Sequence, residues 1–423
     1  MLSVTLALIS LWVSVEAHHP ALPDSQAQVK RLTFSGSGSA QHPCLSLDGR
    51  IMLYIVETVE NGTPVRRVKI MNLENGTDRD LFRDGMQTAP APFEGASLLI
   101  GSKPPLLSGN GEIAVFSLSI DEPVGIIDHY LAVVPTDGSA SWITSFPISD
   151  LNGKDPAEMG FENGDWERIA NYAVDRSGKR IACLLKGHLG PRRFGSASGI
   201  VLLDVETKRH ETLIAPCFRE EEWKWDSSPR RPLSGGGWAF GMSADGGTIV
   251  FGAQNSDDSD DYDLYLADWK DKAIQKLTNF NDRWFSLADI DQEGKTIVFF
   301  YAGKKQQGIG TYIISRDGTG LKYLKSQTLP RIEFCEFSDD GRFVFYKDVY
   351  RIMRLRIGNA EETMILSESA SDSFSETAPL DFPQFPSFWM PRIVSLDGRL
   401  MLIEGIPRGK AASEIYLCSY DSK

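Results

Sequence analysis

Histidine and cysteine are scarce, at six and five in 423 residues. The cysteines are Cys44, Cys183, Cys217, Cys335 and Cys418. Odd in number and far apart, without a C-x-x-C pair, they exclude a disulfide framework, a cysteine-based zinc site and dithiol redox chemistry. They read as buried thiols acting as small hydrophobes. Positive charge is also short: 44 Lys and Arg face 57 Asp and Glu, for a net charge of −13. A nucleic-acid binder needs a broad cationic footprint, so that class is set aside. Long apolar runs are missing beyond the first residues, and no transmembrane segment is expected. A G-x-S-x-G nucleophile elbow is missing too; Gly195-Ser196-Ala197-Ser198-Gly199 carries alanine where the serine would stand.

What is present is an ordinary globular composition, 42% hydrophobic with 38 Gly and 22 Pro. Leu2 to Val15 is uncharged and mostly apolar, and Val15-Glu16-Ala17 offers small residues where signal peptidase reads them. Residues 1–17 are therefore expected to be a signal peptide cut before His18, with 18–28 a lead-in, and the protein secreted or periplasmic. No cysteine ends the apolar run, which speaks against a lipid anchor.

One signature recurs seven times: a short strand, a tight turn ending in glycine, then a strongly apolar strand. It reads PCLSLDGRIMLYIV at 43–56, FGMSADGGTIVFGA at 240–253 and CEFSDDGRFVFYKD at 335–348. The turn glycines are Gly49, Gly111, Gly178, Gly246, Gly294, Gly341 and Gly398. Three residues before each stands Ser or Asp: Ser46, Ser108, Asp175, Ser243, Asp291, Ser338 and Ser395. Such side chains bond turn amides, while glycine supplies positive φ. Each unit continues with a third strand, and most with a short outer one, such as DLYLAD at 263–268 and QKLT at 275–278.

Four antiparallel strands repeated around an axis make a propeller blade, and each blade needs neighbours on both sides to bury its faces. The expected fold is all-β, a seven-bladed β-propeller over residues 29–423. The seventh unit has three strands. Lys30-Arg31-Leu32-Thr33-Phe34 resembles Gln275-Lys276-Leu277-Thr278 of the fourth unit, so an N-terminal strand is expected to complete the last blade.

The pattern P-x-[apolar]-S-x-D-G-[RK] before an apolar strand resembles the WD40-like (PD40-type) repeat of TolB-like β-propellers. Pro43 to Arg50 and Phe337 to Arg342 are good copies. The resemblance is one of scaffold, over about residues 29 to 423. TolB carries an α/β domain before its propeller, for which this sequence leaves no room. Prolyl-oligopeptidase-type enzymes pair a similar propeller with a hydrolase domain that is missing here.

Loop lengths separate the two faces of the disc. All long insertions join an outer strand to the next inner one (83–104, 145–170, 215–237, 367–388) or a second strand to a third (187–198, 253–262, 302–310). Both classes emerge on one face, the expected binding face. Trp166, Trp223, Trp225, Trp238, Trp284 and Trp389 lie in or beside these insertions, with Arg230 and Arg231 in the third. Aromatic residues at a channel mouth suit peptide or sugar contacts. The same tryptophans also suit packing of each loop onto the ring, and the charges suit a solvated surface. Asn255 to Asp263 is rich in hard oxygen donors but lacks EF-hand register. It reads as a hydrated loop; no cofactor or metal is expected, with Ca2+ there as the one exception left open. Asn61-Gly62-Thr63 and Asn75-Gly76-Thr77 match the glycosylation sequon, which matters in a eukaryotic secretory host.

The expected function is non-catalytic capture of a protein, peptide or glycan on the loop face, as a free module or within an envelope complex. The alternative is a metal-dependent or acid–base polysaccharide lyase or hydrolase in the channel, as the resemblance to oligogalacturonate lyases implies. Its candidate residues are His42, near the start of an inner strand, with Asp289, Glu333, Glu336 and Arg392. Such residues also serve as a salt-bridged channel lining.

Overall fold

The computed structural model describes residues 28–34, 36, 38–90, 94–122, 125–146, 167–188, 196–214, 240–254, 262–280, 285–301, 310–324, 335–338, 341–348, 351–367, 383–384, 392–393, 400–407 and 412–419. These form seven antiparallel sheets in chain order, the blades of a propeller.

Blade 1 runs Ser39–Leu45, Ile51–Glu60, Thr63–Asn72 and Asp78–Arg83 from the axis outward. Blade 3 (Glu167–Val174, Arg180–His188, Ser196–Asp204, Arg209–Ile214) and blade 4 (Phe240–Met242, Thr248–Gln254, Tyr262–Asp268, Ile274–Lys276) repeat the plan. So do blade 5 (Phe285–Ile290, Thr296–Tyr301, Gly310–Ser315, Lys322–Tyr323) and blade 6 (Cys335–Phe337, Phe343–Asp348, Arg351–Arg356, Glu362–Ser367).

Blades 2 and 7 depart from it at the axis. The inner strand of blade 2 is two pieces, Leu99–Ile100 and Leu106–Leu107, beside Ile113–Glu122, Gly125–Pro135 and Trp142–Ser145. Pro104 and Pro105 interrupt the ladder there, because proline has no N–H to give. Pro104 is put to use across the seam, its carbonyl accepting the Tyr172 hydroxyl at 2.6 Å. In blade 7, Pro383–Gln384 and Arg392–Ile393 both pair with Leu400–Pro407, which pairs with Glu414–Ser419.

The strand Gln28–Arg31 pairs antiparallel with Glu414–Ser419, Arg31 opposite Tyr416, and completes blade 7. Leu32 N–H continues the ladder to the Ile415 carbonyl at 2.8 Å. The match with blade 4 extends to individual atoms. Thr33 Oγ1 donates to Glu414 at 2.5 Å and accepts from Ile415 N–H at 2.9 Å. Thr278 Oγ1 donates to Asp263 at 2.7 Å and accepts from Leu264 N–H at 2.9 Å. A cation completes each: Arg31 meets Glu414 at 2.9 Å and Lys276 meets Asp263 at 2.8 Å. Both carboxylates are buried, so full hydrogen bonding is what makes their burial tolerable.

The apolar core is divided among the seams. Leu53 and Val68 of blade 1 cluster with Phe116 and Tyr130 of blade 2. Five similar clusters follow around the ring, and Met52 and Tyr54 of blade 1 meet Leu402 and Ile415 of blade 7 to close it. This explains why middle strands such as Thr296–Tyr301 are almost wholly apolar and buried after the first residue: both faces are covered.

Candidate functional site

One face of the disc is built by the Ser/Asp-x-x-Gly turns, and they are tied to one another. Ser46 Oγ accepts Ile51 N–H at 2.9 Å and donates to Asp48 at 2.6 Å. Ser108 and Ser243 repeat this with Asn110 and Asp245. In blade 3 the roles exchange: Asp175 accepts from the Ser177 hydroxyl and the Arg180 amide. Asp291 takes the Lys295 and Thr296 amides. Backbone bonds then join neighbouring turns: Leu47 N to Gly109 O, Asn110 N to Arg176 O and Arg176 N to Ala244 O, at 2.8–2.9 Å. Burial opposes the ionised form of Asp245. The Ser243 hydroxyl, the Gly247 amide and Arg180 and Arg316 outweigh it and hold the carboxyl below the usual range.

On the opposite face the described outer strands end and two hairpins reach outward. Ile51–Glu60 and Thr63–Asn72 are joined by Asn61-Gly62 alone, at φ 51° and 82°, the backbone of a type I′ turn. Ile113–Glu122 and Gly125–Pro135 form the second. Asp84 braces the base of the first connection, accepting Arg66 N–H at 2.8 Å and Ile100 N–H at 2.6 Å. Phe34 (73% exposed), Val59 (68%) and Met86 (64%) all lie on this side. Leu321, at 37% the remaining exposed large hydrophobic among the described residues, belongs to the opposite side.

Trp166, Trp223, Trp225, Trp238, Trp284, Trp389, Arg230, Arg231 and Glu333 lie outside the described residues, as does the Asn255–Asp261 part of the acidic loop. Asp263 is described, and it is the buried strand clamp of blade 4.

Of the channel candidates, Asp289 and Glu336 stand at the same register in adjacent blades, each five residues before its turn glycine. Asp289 faces Val298 and Glu336 faces Phe345 across their ladders. The Asp289 carboxylate accepts the Ile290 amide at 2.8 Å. Arg392 pairs with Leu402 in blade 7. His42 sits at a break in register between Gln41 and Cys44, with φ 53°. Its N–H points across the blade 7–blade 1 seam to Glu404 Oε2 at 3.2 Å. Glu404 and Glu414 are buried acids that the sequence did not single out, and Asp263, expected in a hydrated loop, is buried as well. For Asp263 and Glu414 a signal existed: each stands at the start of a third strand, second and first residue respectively, beside a [KR]-L-T segment.

Among the described residues there is no helix long and apolar enough to cross a membrane. No family model and no curated protein matches the sequence. The fold is similar to that of an oligogalacturonate lyase in complex with manganese, 11% identical over 95% of each chain with a TM-score of 0.56. It is also similar to the β-propeller domain of the Trilobed protease from Pyrococcus furiosus, 13% identical, covering 91% of this chain and 96% of that one, TM-score 0.53. TolB from Acinetobacter baumannii aligns at 12% identity over 87% of this chain and 79% of that one, TM-score 0.40. At these identities the likeness is one of fold. The Trilobed propeller is described as having an open velcro topology, whereas here Gln28–Arg31 closes the last blade. The chain is a closed, seven-bladed β-propeller, and its likeness to the lyase and the Trilobed protease domain is one of fold.

Proposed function

We propose that this propeller is a non-catalytic binding module that takes a protein, peptide or glycan partner on the face of the long connections, in a secreted or periplasmic setting. The observation that carries this reading is the placement of Phe34, Val59 and Met86, all strongly exposed and all on that face. Solvent-exposed apolar groups gathered on one side of a rigid scaffold are what a partner covers. On the opposite face the turns of blades 1 to 4 are bonded to one another. Trp166, Trp223, Trp225, Trp238, Trp284, Trp389, Arg230 and Arg231 belong to the same proposed surface by their place in the chain.

A second reading, polysaccharide cleavage in the channel, draws on the common register of Asp289 and Glu336 and on the lyase likeness. His42, Glu333 and Arg392 would join them.

The test is affinity capture from envelope and extracellular extracts, together with peptide and glycan arrays. Each is run on the native protein, on Val59→Ser/Met86→Ser, on Trp223→Ala/Trp225→Ala and on Leu321→Ser. Loss with the first two variants and retention with the third supports the reading. Equal capture by all four overturns it. Turnover of oligogalacturonate with added Mn2+, abolished in Asp289→Asn, would favour the second reading.

A further inference from the structure

We propose that Asn61 and Asn75 are acceptors of N-linked glycans, one on each face of the disc; this rests on the reading that the chain is exported. They head the two N-x-T tripeptides of the sequence, and both fall in tight turns of blade 1. All six residues of the two tripeptides are exposed. A glycan needs open solvent around its attachment point. The glycine after each asparagine reports that space directly: a Cβ built on Gly62 or Gly76 meets nothing within 4 Å.

The local geometry also presents the reacting group. Asn75 Oδ1 accepts the Thr77 amide at 2.9 Å and the Thr77 hydroxyl at 2.6 Å. The carboxamide oxygen is thus the atom engaged by the turn, and the chemistry uses its nitrogen. In the transfer, Nδ2 forms a bond to C1 of an oligosaccharide and loses a proton. The bond from C1 to the diphosphate oxygen of a polyprenyl-diphosphate donor breaks, and its electron pair leaves with the diphosphate. The donor and the transferase belong to the secretory host.

Asn61 sits at the tip of the first hairpin, beyond Val59 and Pro64, on the face of the long connections. Asn75 lies in the turn between the third and outer strands, on the other face. Two glycans of blade 1 would therefore flank the disc.

The full chain is expressed in cultured insect cells in two forms, with its own residues 1–17 and with a host signal sequence in their place. Asn61→Gln and Asn75→Gln are made in each form. Secreted protein is treated with peptide-N-glycosidase and its peptides are weighed. Conversion of both asparagines to aspartate, with one glycan lost in each single variant, supports the proposal. Secreted protein with either asparagine unmodified overturns the two-faced assignment. Glycosylation with the host signal but retention inside the cell with residues 1–17 overturns the export reading and leaves the acceptor sites standing.

Discussion

Gly178 of blade 3 lies so close to Ile113 of blade 2 that an added Cβ would stand 2.6 Å from the Ile113 Cγ1. The same arrangement recurs around the ring. A Cβ on Gly111 would stand 3.2 Å from that of Ser46, and one on Gly246 3.0 Å from that of Asp175. The turn glycine therefore serves two ends at once, a left-handed backbone and a close seat on the preceding blade.

Gly76→Ala and Gly178→Ala separate these two roles, since their φ values are alike at 71° and 74°. Gly76 has open space around it, so its substitution is expected to cost only the left-handed penalty, about 1–2 kcal/mol. Gly178→Ala adds overpacking against Ile113 and is expected to cost roughly 1–3 kcal/mol more. Denaturant midpoints of the two variants check this; equal costs would refute the seam contact.

Thr33→Val and Thr278→Val remove the same pair of hydrogen bonds from equivalent positions. Each leaves a buried amide and carboxylate short of a partner, an expected loss of about 1–3 kcal/mol. Only Thr33 follows closely on the strand Gln28–Arg31, which reaches blade 7 from a distant part of the chain. Thr33→Val is therefore expected to speed tryptic cleavage after Lys30 and Arg31, while Thr278→Val leaves cleavage there unchanged.

Acid is expected to loosen the contacts held by Asp78 in blade 1 and Asp245 in blade 4. Burial disfavours the Asp78 carboxylate, but Lys69 and the Tyr54 hydroxyl prevail and hold its pKa below the ordinary 3.8. Asp245 is depressed in the same way. A depressed carboxyl contributes stability that is fully present above its unfolded value and is lost as pH falls through the folded one. Melting temperature should thus drop as pH falls below about 4. Asp245→Asn should melt lower at pH 7 and show a shallower acid slope.

Thiol chemistry gives a fourth check. Burial pushes the Cys183 thiol far above its ordinary value and the Cys418 thiol up to about 12. The thiolate is the reactive form, so both should resist maleimide at pH 8 in the native protein and react after unfolding. Fast native labelling at either would contradict the packing of blades 3 and 7.

The ring was legible because its repeat carries local chemistry: Ser or Asp to hold the turn, glycine to make it, an apolar strand after it. Even the borrowed strand could be read, since Arg31-Leu32-Thr33 copies Lys276-Leu277-Thr278 down to its hydrogen bonds. Less legible was the interruption of the inner strand of blade 2, where Pro104 and Pro105 stand inside a run that otherwise looks continuous. The His42–Glu404 contact left no trace, because the two residues are 362 positions apart and one partner is a backbone amide. The placement of Phe34, Val59 and Met86 also escaped notice. Single apolar residues in connections or at a strand end form no pattern until a fold assigns them a side.

Arg31 and Glu414, 383 positions apart, must meet before the last sheet exists. During translation Gln28–Arg31 thus waits for Glu414–Ser419, and no nascent fragment that stops short of the latter can finish the circle. If the polypeptide is threaded through a translocation pore, sealing falls entirely to the far compartment. Whatever chaperoning the molecule needs must be on hand there, after release of Glu414 to Ser419.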